Sequence, residues 1–126
     1  MTAALSLAMA PGASATIYTG NVTNAYDGNE SHRWDEEQYS ELDFYNCQSL
    51  HHQSVQITYY RALDFKPDPS YDQKLFTACF KAGGVSVGEW HDLPWGMYYF
   101  QIGAIDSGDS NTIDVESWTI DTTKAD

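Results

Sequence analysis

Basic side chains are scarce in this chain: six Lys and Arg stand against eighteen Asp and Glu, for a formal net charge of -12. A surface of that sign is repelled by phosphate backbones and by anionic membranes, which argues against nucleic acid or lipid as a partner and leaves basic proteins and neutral glycans. Long apolar runs are also missing. No segment approaches the ~20 residues a membrane-spanning helix needs. Sustained helical periodicity is absent. Cysteine is limited to Cys47 and Cys79, and with His51 and His52 beside only one of them the pair matches no standard zinc spacing.

What is present begins with an uncharged N-terminal segment. Residues 1 to 15 hold a short apolar centre from Ala3 to Ala10, then Pro11-Gly12 and the tail Ala13-Ser14-Ala15. Small residues at 13 and 15 suit a signal peptidase, so the segment reads as a partial secretory signal peptide lacking its basic start. The mature chain is expected to begin at Thr16 and to be secreted. The competing reading is a short buried helix, which the lack of a polar face disfavours. The remainder has the size of one domain. At 14% aromatic it has core formers enough to fold.

Two cysteines in an exported chain predict one disulfide, worth ~3 to 4 kcal/mol in the chain-entropy model. Along the chain the pattern is of strands. Val55, Ile57 and Tyr59 alternate with Gln56, Thr58 and Tyr60, Glu41 to Asn46 alternates with Leu42 and Phe44 on one face, and Tyr98 to Ile105 and Thr112 to Asp121 carry further strand signals. Leu75 to Lys81 reads as a central strand, and Val85 with Val87 as a short one. Turns are expected at Lys66-Pro67-Asp68-Pro69, Gly83-Gly84, Leu93-Pro94-Trp95-Gly96 and Ser107-Gly108-Asp109. The expected class is all-β: an antiparallel β-sandwich over residues 38 to 126 with one disulfide.

Leu93 to Phe100 resembles the entry to a late strand of immunoglobulin-like and fibronectin-like sandwiches, where a tyrosine hydroxyl ties the strand to the preceding turn. The resemblance implies that Tyr98 or Tyr99 points inward. It departs from the antibody pattern, because no cysteine follows two residues after either. Residues 16 to 37 form a polar N-terminal arm, either a first strand with a long loop or a free segment. Ile17, Tyr18, Val22, Tyr26 and Trp34 are its candidate partner-binding anchors. Its few apolar residues bury little, so its removal is expected to leave the core folded.

Candidate chemistry is sparse. Trp34-Asp35-Glu36-Glu37 with Glu41 and Asp43 offers carboxylates for a glycosidase pair or a sugar-binding face, but adjacent like charges more commonly form a solvated face. His51-His52 and His91-Asp92 read as surface loops. Asp106, Asp109, Asn111 and Asp114, and separately Asp64, Asp68 and Asp72, are oxygen-rich enough to consider calcium, without matching the twelve-residue loop. Asn21-Val22-Thr23 and Asn29-Glu30-Ser31 are glycan acceptor triplets. No catalytic residue, metal site or cofactor is assigned.

A non-enzymatic protein-binding module is therefore the expected function, with an extracellular protein partner. In size, export, fold class and N-terminal arm the chain resembles the small adaptor subunit of the umbrella toxin particles of filamentous soil bacteria, which implies two protein-contact surfaces and no catalytic residue. A carbohydrate-binding module is the alternative, motivated by Trp34, Trp90, Trp95 and Trp118, of which Trp118 is assigned to the core. A secreted protease inhibitor presenting the Asp64 to Asp72 loop is a further one. Intact mass of the secreted protein checks the first expectations: it should start at Thr16 and expose no alkylatable thiol before reduction.

Overall fold

The computed structural model describes residues 17–108 and 110–123, so the signal segment and the start at Thr16 lie outside the described residues. Six strands follow one another: β1 (Ile17–Tyr26), β2 (Trp34–Ser49), β3 (Val55–Ala62), β4 (Ser70–Phe76), β5 (Val85–Ile105) and β6 (Thr112–Asp121), with a 3-10 turn at Ala78–Phe80. They form one antiparallel sheet in the order β1-β6-β2-β5-β3-β4. The expected all-β antiparallel fold with one disulfide is thus present, and the Cys47–Cys79 bridge is closed.

Strand β5 organises this sheet. Its first part pairs with β2 from Val85 to Tyr98, and its second part pairs with β3 from Met97 to Ile105. Rings far apart in the ladders consequently meet edge to face: Phe44 of β2 lies 5.6 Å from Phe100 of β5, and Phe100 lies 5.2 Å from Trp118 of β6. The core is the space between these facing halves, filled by Val55, Ile57 and Tyr59 from β3 and by Ile113, Val115, Trp118 and Ile120 from β6.

The bend has identifiable causes. Gln38 and Asp92, near one another on the β2–β5 ladder, both have positive φ, and the register shifts on either side of Gln38. The Leu93 to Gly96 segment, expected as a turn, lies inside β5 at this irregularity. Pro94 is tolerated there because a bulge removes the demand for its missing N–H. Asn46, at φ 55, plays a similar part further along β2. The buried positions pass from Leu42 and Phe44 to Cys47, and on β6 from Trp118 to Val115, so both strands exchange faces at this point. Asn tolerates left-handed backbone better than most residues, and here its amide also donates to Glu116.

One expectation needs correction, and one open alternative is decided. The strand anticipated over Leu75 to Lys81 ends at Phe76, where the chain turns through Ala78–Phe80 and places Cys79 beside Cys47. Of the two forms open for the N-terminal segment, the structure has the first strand followed by a loop: β1 pairs with β6 from Ile17↔Asp121 to Tyr26↔Thr112. The following loop is bonded to β5 through Gly28 N to Ile102 O (2.7 Å), Ser31 N to Phe100 O (2.9 Å) and Ile102 N to Asn29 O (2.8 Å). Gly20 lies flat on the Trp118 indole, where an added Cβ would come within 2.6 Å of the ring. Gly20→Ala should therefore destabilise the fold by about 1 to 3 kcal/mol in denaturant titration, the usual effect of overpacking, whereas a free arm would register no change.

Candidate functional site

The structure scatters the residues that sequence alone had grouped. Trp34 is 2% exposed and Trp90 3%, and of the four tryptophans Trp95, at 53%, is the one that is largely exposed. Trp34 is therefore not a partner-facing anchor. Its indole packs 6.0 Å from Tyr59 and donates to the Tyr59 hydroxyl at 2.9 Å. Of the other four candidates, Ile17 and Tyr26 are exposed, Tyr18 stacks on Trp34 at 6.0 Å, and Val22 lines a groove beside β1. Of the three tryptophans considered for a sugar-binding face, Trp34 and Trp90 are core rings and Trp95 alone is exposed.

The acidic run is divided as well. Asp35 faces solvent while Glu36 is fully buried, as alternation along a strand requires. Glu36 Oε1 accepts from Ser40 Oγ at 2.6 Å, and Ser40 Oγ lies 2.6 Å from the Tyr59 hydroxyl. Because the Ser40 proton goes to the carboxylate, Tyr59 must donate to Ser40, and the Trp34 N–H in turn donates to Tyr59. The result is a one-way chain of donors ending on Glu36. Burial of Tyr59, reinforced by the Glu36 charge, pushes its pKa well up, so the hydroxyl keeps its proton. His91 Nε2 meets Glu89 Oε1 at 3.4 Å on the surface, while His51 and His52 are exposed.

Asp106 is spent on the protein itself. Its Oδ2 accepts from Ser49 Oγ (2.6 Å) and His51 N (2.9 Å), and its Oδ1 from Gln53 N (2.8 Å) and Ser54 N (3.3 Å), so it holds the β2–β3 loop shut. Asp114 accepts from Asn24 N at 2.7 Å and Asn111 donates to Ile105 O at 3.2 Å, while Asp109 lies outside the described residues. The turn considered for calcium thus uses its oxygens as caps. Among the described residues no group of three or more His, Cys, Asp or Glu is placed to hold a metal ion.

The second acidic run forms the most distinctive surface feature. The β3–β4 loop is pinned at its base: Asp68 Oδ1 accepts from Leu63 N at 2.9 Å, Asp68 Oδ2 accepts from Tyr99 Oη at 2.5 Å, and Arg61 N donates to Pro69 O at 3.1 Å. The Tyr99 hydrogen bond, followed by that of Leu63, lowers the Asp68 pKa. Arg33 lies 4.9 Å from the Tyr99 ring centre and Tyr60 stacks on that ring at 5.4 Å, bracing it from two sides. At the tip stands Phe65, 105% exposed with φ 61. Trp95 and Met97, both exposed, lie at the same end of the sheet, since Met97 pairs with Ala62 three residues before Phe65. Tyr98, on the opposite face from Tyr99, is buried and donates to Pro94 O, which is the tyrosine tie expected at this corner.

No protein-family model matches the chain, and no curated protein matches it. A solved structure from Sulfurospirillum deleyianum is similar over 86% of this chain and 98% of that one, with 9% identity and a TM-score of 0.45.

Burial acts to raise the Asp106 pKa, but its hydrogen bonds from Ser49, His51, Gln53 and Ser54 outweigh this and bring it down from 3.8 to about 2. A lowered folded pKa means that the stabilisation is present above pH 3.8 and is lost as pH falls toward 2. Asp106→Ala should cost about 2 to 4 kcal/mol at neutral pH, and the variant's acid unfolding curve should lack that part of the pH dependence.

Proposed function

We propose that this chain is an exported, non-enzymatic protein-binding module that docks a partner through the end of the sheet carrying Phe65, Trp95 and Met97. The observation behind this reading is Phe65 itself. A bulky residue in left-handed backbone costs about 1 kcal/mol or more, and a phenyl ring held entirely in water returns none of it by burial. Strain of this kind at an exposed aromatic belongs with sites whose contacts are made in a complex. The Asp68 clamp restricts the loop before any partner arrives, which lowers the entropy cost of association.

Charge shapes the partner. With a net charge of -12, the chain favours a surface that is basic around an apolar pocket able to take an aromatic ring. The buried disulfide and the signal-like N terminus support export. A finer form of the reading is an adaptor that joins two proteins in an extracellular toxin or surface complex.

A protease inhibitor is the second reading, favoured by the same loop: a rigid convex segment with an aromatic tip would present Phe65 to a primary pocket for large apolar side chains. The two readings differ in the partner and share the contact.

Phe65→Gly separates function from stability. Glycine takes positive φ without strain and nothing buried is lost, so denaturant titration should show unchanged or slightly higher stability, by up to about 1 kcal/mol. Recovery of a stoichiometric partner from native culture supernatant should fall at least tenfold, as for loss of a central aromatic anchor. Full recovery with Phe65→Gly would overturn the docking surface. Slow, saturable inhibition of a chymotrypsin-like protease by the parent chain would select the inhibitor reading.

A further inference from the structure

Among the described residues, a single sulfur atom is open to solvent. The chain has three methionines, and of these only Met97 lies beyond the signal-like segment. Cys47 and Cys79 are each 1% exposed and are already joined, so their sulfurs are closed to oxidants. Met97 is 45% exposed. It stands where β5 passes from one neighbour to the other, paired with Asp35 of β2 and with Ala62 of β3. Directly paired residues share a face of the sheet, so Met97 points outward beside an exposed carboxylate and a methyl group, away from the buried Tyr98 that follows it.

The position of this sulfur gives it a consequence. Met97 shares its end of the sheet with Phe65 and Trp95, and the three supply the apolar character of that surface. Of the three, only the thioether changes polarity by a small and reversible reaction: methionine sulfoxide keeps nearly the same shape and carries a strong hydrogen-bond acceptor where the apolar sulfur was. The three other tryptophans are at most 3% exposed, so an oxidant in solution meets this one surface before it meets the core.

We propose that Met97 is a reversible oxidation site that switches the Phe65 end of the sheet from apolar to polar while the fold stays intact. In the forward step a lone pair of the Met97 sulfur attacks one oxygen of hydrogen peroxide. The S–O bond forms, the O–O bond breaks, sulfur gives up two electrons, and after proton transfer water leaves. In the reverse step a dithiol returns the two electrons, becomes a disulfide and releases the oxygen as water. Peroxide is small and neutral, so the net charge of -12 does not repel it. The added oxygen stays in water and no core contact is lost, which is why the fold tolerates it. A partner's apolar pocket, by contrast, would have to bury the sulfoxide without a donor. That weakening of docking rests on the reading of the Phe65 end as a docking surface, and the oxidation itself does not.

Graded hydrogen peroxide on the secreted chain, followed by intact mass, peptide mapping, thermal melting and retention on a phenyl resin, tests the site. One oxygen should be added on Met97 ahead of any on Trp95, the melting temperature should stay within about 2 °C, and the oxidised chain should leave the resin earlier. A methionine sulfoxide reductase supplied with dithiol should restore mass and retention. Met97→Leu, similar in volume and without sulfur, should take up no oxygen at the same dose and keep its retention. First oxidation elsewhere, a melting temperature lowered by more than about 5 °C, or unchanged retention would each overturn the proposal. Recovery of the partner from native culture supernatant should fall roughly five- to tenfold for the oxidised parent chain and stay full for peroxide-treated Met97→Leu. Full recovery by the oxidised parent, with recovery lost in Phe65→Gly, would overturn the switch and leave the docking surface standing. Full recovery by Phe65→Gly would count against the docking surface and leave the oxidation site to be decided by mass and retention.

Discussion

The fold turns on Tyr59. Its ring is stacked between Trp90 at 4.6 Å and Tyr98 at 5.3 Å, and its hydroxyl joins Trp34 to the Ser40–Glu36 pair. Those contacts tie β3 to both arms of β5 and to β2 in one arrangement. A carboxylate buried without donors would be prohibitive, and one supplied by an oriented hydroxyl chain is tolerable only while every member is in place. Sliding β2 by one residue against its neighbours would turn Glu36 and Trp34 to solvent and empty the stack, so the network selects the register in addition to whatever it contributes to stability.

Around that point the long strands must bend, and their bends explain where sequence reading succeeded and failed. β3 and β6 were legible because β3 alternates cleanly and β6 keeps its apolar residues despite one phase change, and Trp118 fell in the core as expected. The disulfide was legible from the even cysteine count together with the signal-like segment that led to an expectation of export. β5 was read as two strands around a turn because Pro94 and Gly96 normally punctuate a chain. In the structure Pro94 occupies an irregularity, and Arg61 lies across Gly96, where a Cβ would come within 2.8 Å of its Cδ. Asn46 and Asp92 are of types that enter left-handed backbone readily and Gln38 is not, but nothing local says which of the chain's Asn and Asp residues will do so, since tertiary closure selects them.

The sites were less legible for a different reason. Residues that look functional by type were absorbed as structural parts: Trp34 and Trp90 as core rings, Asp106 as a loop cap, Glu36 as the end of a donor chain. Clustered polar residues in a sequence do not reveal whether their partners are solvent, ligand or backbone. Phe65 went unremarked beyond its loop because a single phenylalanine among Asp, Lys and Pro reads as a weak core anchor. Its exposure and its φ are visible only once the chain is folded, although the two prolines after it did point to a stiff loop. Tyr99 likewise needed the structure, since its value lies in reaching Asp68 across the sheet.

The same bent strand also sets the spacing between the Phe65 surface and the groove beside β1. Met97 lies at the Phe65 end of β5, while Phe100 and Ile102 form part of the groove wall. At about 3.3 Å per residue the two positions are separated by roughly 10 to 17 Å along the strand. Both surfaces are braced by contacts to β5, through the Tyr99–Asp68 bond on one side and the Phe100 and Ile102 backbone bonds on the other. The loops at the two ends of this segment are thus fixed to the same strand without depending on one another.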